Sequence, residues 1–378
     1  MLSTLLLPPL LAAGYSTSAL QPVGHSVATL SSMSSMDDNE VNCASEHHPH
    51  PFNFSSNCPP GSSSCWPALY LLGVQKAGTT SVTSGLMKCG AVAFGMAHGE
   101  IKYCEAGVGC KETLHAPADI TTATGKTVFT KLHDTTRCHE LNEDWKVVTE
   151  ACKAGRFLEA TPLGVGDSPN VGTLLQAIPP QYSSTARYAV ILREPVARML
   201  SWFNHLLANS QFTVPGMPLN SFDAWYKYTL KYTLKGKLDA LQNGKYIEWM
   251  QQYQANPHVK RSQLLVLEFD ALVKEPATAM RLLTTHYGLP QVLTGMHKLP
   301  DENTQDSPQK VISITCSTRD AAAAAYEDDN QALYAQLASD RAAGRAPSLE
   351  PAFPAFDIRK AVQCGQAELT MGGGLRSE

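Results

Sequence analysis

The chain has 378 residues, with 30 Lys+Arg against 34 Asp+Glu and a formal net charge of −4. Hydrophobic residues make up 43% and charged residues 17%, a globular composition that excludes a wholly disordered chain; the length suits one large domain with appendages, or two of ordinary size. Mild acidity without a Lys/Arg run excludes a general field for nucleic acid, but leaves room for local basic sites that hold a small anion.

Residues 2–14 are mostly apolar and lead into the small-residue stretch Tyr15 to Ala19, the pattern of a signal-peptide h-region and cleavage site. Residues 1–19 therefore read as a leader into the secretory route, to the Golgi lumen or beyond. A plastid-type leader or a soluble tail is the alternative, because no Lys or Arg precedes the run and Pro8-Pro9 breaks it. The run is too short for an ordinary transmembrane helix, and no other stretch reaches about 18 apolar residues, so membrane association is expected only through this segment. Residues 20–65, rich in Ser, Asn, His and Pro, read as a low-complexity stem, with His47, His48 and His50 as part of it rather than as a metal tract. Asn53-Phe54-Ser55 is a glycosylation sequon. Ten cysteines without paired C-x-x-C motifs argue against zinc; an oxidising compartment would allow a few bridges, whose connectivity the sequence leaves open.

Structure is expected to begin near Trp66. Ala68 to Leu72 reads as a buried strand, followed by a loop from Gly73 to Thr80 and a helix from Ser81 to Lys88. Ala91 to Phe94 and Arg156 to Glu159 are further strand candidates. Arg187 to Leu192 is a strong one, and Pro195 sits where a helix would start, with Val196, Met199, Leu200, Phe203 and Leu207 on one face. Tyr228-Thr-Leu-Lys repeats at once as Tyr232-Thr-Leu-Lys, which reads as a surface helix. Gln263 to Phe269 is another strand. Pro276 opens a helix with Met280, Leu283 and Tyr287 on one stripe, closed by Gly288, and Ala321 to Ala325 favours a further helix. Strands alternating with helices predict an α/β fold: one domain over residues 66–345, a P-loop-like parallel sheet flanked by helices, with 346–378 as a loosely packed tail.

The chemistry is expected in the first loop. A glycine-bearing loop between strand and helix offers backbone N–H groups and a positive helix end to an anion. Gly73 and Gly78 have the gap of a nucleotide P-loop, but position 79 is Thr and the lysine lies inside the loop as Lys76, where an ATP-type loop would have it after the second glycine. No acidic strand end supplies a magnesium ligand, and no metal is expected.

Gly73-Val-Gln-Lys-Ala-Gly-Thr-Thr-Ser81 resembles the 5′-phosphosulfate loop of sulfotransferases that use 3′-phosphoadenosine 5′-phosphosulfate (PAPS). Ile191 to Trp202, with Arg193 ending a strand and Ser201 two helical turns further on, resembles that family's 3′-phosphate motif. The resemblance runs from about Trp66 to Leu337 and is nearest the Golgi heparan-sulfate and N-deacetylase/N-sulfotransferase type, on Arg193-Glu-Pro, Ser201-Trp-Phe-Asn-His205 and Gly244-Lys-Tyr246.

The resemblance implies that Lys76 meets the oxygen bridging phosphate and sulfate. It implies that Gln75, Lys76, Ala77, Gly78, Thr79, Thr80 and Ser81 hold the 5′ group, and that Arg193 and Ser201 hold the 3′-phosphate. It also implies a carboxylate base: Gly99 to Cys104 is similar to the family's base segment and offers Glu100, with Glu112 as the alternative. His205 stands where the N-sulfotransferase type has a histidine that assists proton removal or binds the sulfuryl oxygens. Glu159-Ala-Thr-Pro162 is similar to a family segment, with Ala160 in place of its lysine. The family's late Lys-Gly-Arg loop has no counterpart, and Lys310 or Arg319 is the expected substitute. The implied reaction moves a sulfuryl group from PAPS to a hydroxyl or amine, with a glycan as the expected acceptor. A lipid or small metabolite is the alternative acceptor, and a P-loop kinase or NTPase, or a non-catalytic PAPS or glycan binder, the alternative functions.

Overall fold

Five short strands form the main sheet in the computed structural model, which describes residues 43–62, 64–94, 133–134, 146–160, 170–208, 216–232, 241–300 and 313–365. They are β1 (Leu69–Leu71), β2 (Ala93–Phe94), β3 (Phe157–Glu159), β4 (Arg187–Leu192) and β5 (Leu264–Glu268). Their order is β2-β3-β1-β4-β5, and every pairing is parallel. The helices of the described residues that matter below are α1 (Thr79–Lys88), α2 (Lys146–Lys153), α3 (Val171–Ala177), α4 (Pro195–Ala208), α5 (Phe222–Tyr232), α6 (Tyr246–Gln254), α7 (Phe269–Lys274), α8 (Pro276–Tyr287), α9 (Cys316–Ala324) and α10 (Glu327–Ala342).

The α/β expectation holds in type and in chain order. A parallel strand covered on both faces must be apolar throughout, and Tyr188 to Leu192 of β4 are all fully buried between β1 and β5. Each large aliphatic side chain so buried stabilises the fold by about 1.5–3 kcal/mol. The stripe of α8 faces inward as its spacing predicts: Met280, Leu283 and Tyr287 are buried, and Gly288 closes the helix at φ 62°. Helix α5 is more than a surface element, because Phe222, Trp225 and Tyr226 are buried against α4.

Two expectations about the chain ends need correction. Residues 43–65, expected within an unstructured stem, are packed on the domain. Ser45–His47 pairs antiparallel with Gln291–Leu293, Phe54 and Asn57 are buried, and disulfides join Cys43 to Cys89 and Cys58 to Cys65. Composition misled here because a few anchors hold a mostly polar strap. Residues 346–365, expected to be a loose tail, are also fastened. Gln363–Cys364 pairs with Ser313–Ile314, and Cys364 is bonded to Cys316. Phe353 and Phe356 pack with Tyr334 of α10. Glu350 is buried and bridges Arg261, while its second oxygen accepts the Val266 N–H at 2.8 Å, which covers the open edge of β5. The cysteines therefore do form bridges, Cys152 being disulfide-bonded as well, as an oxidising compartment permits. Among the described residues no helix is long and apolar enough to cross a membrane.

His286 of α8 makes the core sensitive to acid. Its Nε2 lies 3.0 Å from the Tyr188 carbonyl oxygen and 2.9 Å from that of Gln263, so this nitrogen carries the hydrogen. Burial pushes its pKa down to about 4, against a usual value near 6.5. An unfolded chain binds the proton below 6.5 and the native one does not, so stability falls as pH drops from 6.5 towards 4, by up to ~3 kcal/mol. Urea unfolding across that range should show a shallower pH slope for His286→Asn than for the parent. Equal slopes would remove this histidine from the acid response.

Candidate functional site

The strand order reverses between β1 and β4. From β1 the chain passes to the edge strand β2, returns through β3, then crosses to β4 and β5. In open parallel sheets, ligands bind outside the carboxyl ends of the two strands that flank such a reversal. Those two ends carry the Gly73 loop and Arg193.

The loop leaves β1 in contact with β4, the Val74 N–H donating to the Ile191 carbonyl at 3.3 Å. A β-carbon on Gly73 would lie 2.6 Å from the Thr79 methyl, so the absence of a side chain there lets the loop close on the first residue of α1. Lys76 has φ 70°, a left-handed conformation that is uncommon for a residue with a β-carbon. Gly78, also left-handed, caps α1 without a side chain to satisfy the first-turn N–H groups, and that turn (Thr79, Thr80, Ser81) holds no acid. The helices after β4 and β5 differ. Glu194 accepts the Val196 and Ala197 N–H groups of α4 at 3.1 and 2.6 Å, and Glu268 accepts those of Asp270 and Ala271 in α7. A helix start capped by a glycine, with no acid in its first turn, suits an incoming anion. Burial raises the Glu194 pKa to about 7, against the opposing pull of those two N–H groups.

The structure brings several of the sequence-expected residues together. The half-buried Arg193 donates from Nη1 to the Lys76 carbonyl at 2.9 Å, tying the strand end to the loop, and its own carbonyl accepts the Tyr246 hydroxyl at 2.6 Å. Lys76 Nζ lies 5.9 Å from the centre of the Trp202 ring, which stacks on His205 at 5.2 Å. His205 is pulled down to about 4, first by burial and then by the Lys76 ammonium, so near neutral pH it is an uncharged imidazole beside a cation. Ser201 is half-buried on the same turn of α4. In the loop, Gln75, Thr80 and Ser81 are partly exposed, whereas Ala77 and Thr79 are buried, leaving Thr79 its backbone N–H to offer.

Arg319, on α9, pairs with the neighbouring Asp320 at 2.9 Å, and α9 packs against α4, the helix that carries Ser201. Glu100, Glu112 and Lys310 lie outside the described residues. Glu159 is buried at the end of β3, and Ala160 is buried beside it. Among the described residues no cluster of His, Cys, Asp and Glu could hold a metal ion. The sequence places Phe269 at the end of a strand and gives it no site role; in the structure it begins α7 and lies under Arg193, the guanidinium 4.5 Å from the ring centre.

No protein-family model matches the chain. No curated protein matches it significantly. Solved structures do. One is a sulfotransferase from Alicyclobacillus acidocaldarius, 17% identical, with 71% of this chain and 95% of that one covered at a TM-score of 0.43. At that identity and score the likeness says nothing of chemistry.

Proposed function

We propose that this protein is a PAPS-dependent sulfotransferase. The observation that carries the reading is the pairing, across the sheet's reversal point, of a glycine-capped, lysine-bearing loop with an arginine-tipped strand. A donor with anions on both its 5′ and 3′ positions suits two cationic ends so placed. The residues fit it: α1 offers first-turn N–H groups, and Lys76 and Arg193 supply charge. A lysine inside the loop, with Thr79 where an ATP-type loop has its lysine, favours this donor over ATP.

In this reading the acceptor's oxygen or nitrogen forms a bond to sulfur while the bond from sulfur to the phosphate oxygen breaks. The acceptor's proton passes to a base, for which Glu100 is proposed first and Glu112 second. Negative charge builds on the departing phosphate oxygen, which Lys76 stabilises. His205, neutral at the pH of the cell, is better fitted to accept a hydrogen bond from the acceptor than to hold a full proton. The acceptor class is proposed as a glycan and the setting as the secretory route, which the disulfides favour. Ala160, in the place of a lysine, makes a heparan-type acceptor geometry the less favoured one.

Adenosine 3′,5′-bisphosphate should raise the thermal unfolding temperature, while ATP with magnesium should not. Sulfate transfer from labelled PAPS to a panel of glycans and alcohols would then name the acceptor. Protection by ATP instead, with no transfer from PAPS, would defeat the proposal.

A further inference from the structure

Phe269 begins α7 directly after β5, the strand paired with β4, and its ring meets both halves of the site. On one side the Arg193 guanidinium lies 4.5 Å from the ring centre. On another, the ring fills the space beside Gly78: a β-carbon there would stand 2.9 Å from one ring carbon and 3.4 Å from the next. Arg193 closes the circuit by donating to the Lys76 carbonyl at 2.9 Å. The strand-tip arginine, the loop peptide and the helix cap are thus held around one ring. Stacking suits this task, because an aromatic face restrains a guanidinium without consuming the N–H groups on its edge. A carboxylate in the same place would orient the fork but would also neutralise it.

We propose that Phe269 is a positioning residue that fixes Arg193 relative to the loop and so sets the preference for nucleotides with a 3′-phosphate as well as a 5′ anion. This rests on the sulfotransferase reading of the same site. Phe269 touches no reacting atom and acts through Arg193.

Calorimetric titration with adenosine 3′,5′-bisphosphate and with adenosine 5′-phosphate tests it. Phe269→Leu, or Phe269→Met as a second apolar replacement, should weaken the bisphosphate by roughly 3–10-fold and the monophosphate little, so that the ratio of the two affinities falls. Phe269→Tyr, which keeps the ring face, should retain the ratio. Arg193→Ala should abolish most of it, and adding Phe269→Leu to that variant should lower it no further. An unchanged ratio in Phe269→Leu, or an equal loss for both nucleotides, would overturn the positioning role while leaving the sulfotransferase reading standing. A parent protein that binds neither nucleotide, or shows no preference for the bisphosphate, would overturn that reading and this role with it.

Discussion

Lys76→Ala is expected to lower kcat for sulfuryl transfer by about 10²–10³-fold, the usual loss when a group aimed at developing charge is removed. Affinity for adenosine 3′,5′-bisphosphate should change far less, because the backbone cradle and Arg193 remain. The position supplies its own control. Lys76 holds φ 70°, a conformation glycine adopts without strain, so Lys76→Gly should lose as much turnover and unfold no more easily than the parent. If Lys76→Ala kept its turnover, the charge on the leaving phosphate would have to be met elsewhere, and the role assigned to the loop would be wrong. The same lysine depresses His205, so its removal should also raise the His205 pKa from about 4.

The second large effect concerns stability. Glu350→Ala should destabilise the domain by about 3–5 kcal/mol, because it leaves the buried Arg261 guanidinium without one of its two carboxylates. The other, Asp340, is already shared with Gln254, Gln336 and Arg345. The Val266 N–H on the edge strand would lose its acceptor as well. Glu350→Gln, which keeps an acceptor for that N–H, should cost less. Urea unfolding midpoints measure both, and a loss below about 1 kcal/mol for Glu350→Ala would mean that the tail contributes little to the fold.

How much of this was legible in the sequence follows from how local each signal is. The strands could be read because a parallel strand buried on both faces must be an apolar run, and Tyr188 to Leu192 is one. The site's two poles could be read because each is a short motif: a loop with Lys76 between Gly73 and Gly78, and Arg193 followed by Pro195. Their meeting could not be read from spacing alone, since it depends on β1 and β4 becoming neighbours. The tail was misjudged for the same reason. Glu350 is one acidic residue in a Pro-rich stretch until Arg261, distant in sequence, is folded against it. Phe269 reads in the sequence as the last residue of a strand, and only the sheet order sets it, as the first residue of α7, under Arg193.

The most direct measurement is a crystal structure with adenosine 3′,5′-bisphosphate bound. The account predicts the 5′-phosphate on the N–H groups at the start of α1, within reach of Lys76, and the 3′-phosphate on Arg193 beside Ser201. A nucleotide seated away from the carboxyl ends of β1 and β4, or one with its 3′-phosphate turned from Arg193, would contradict it.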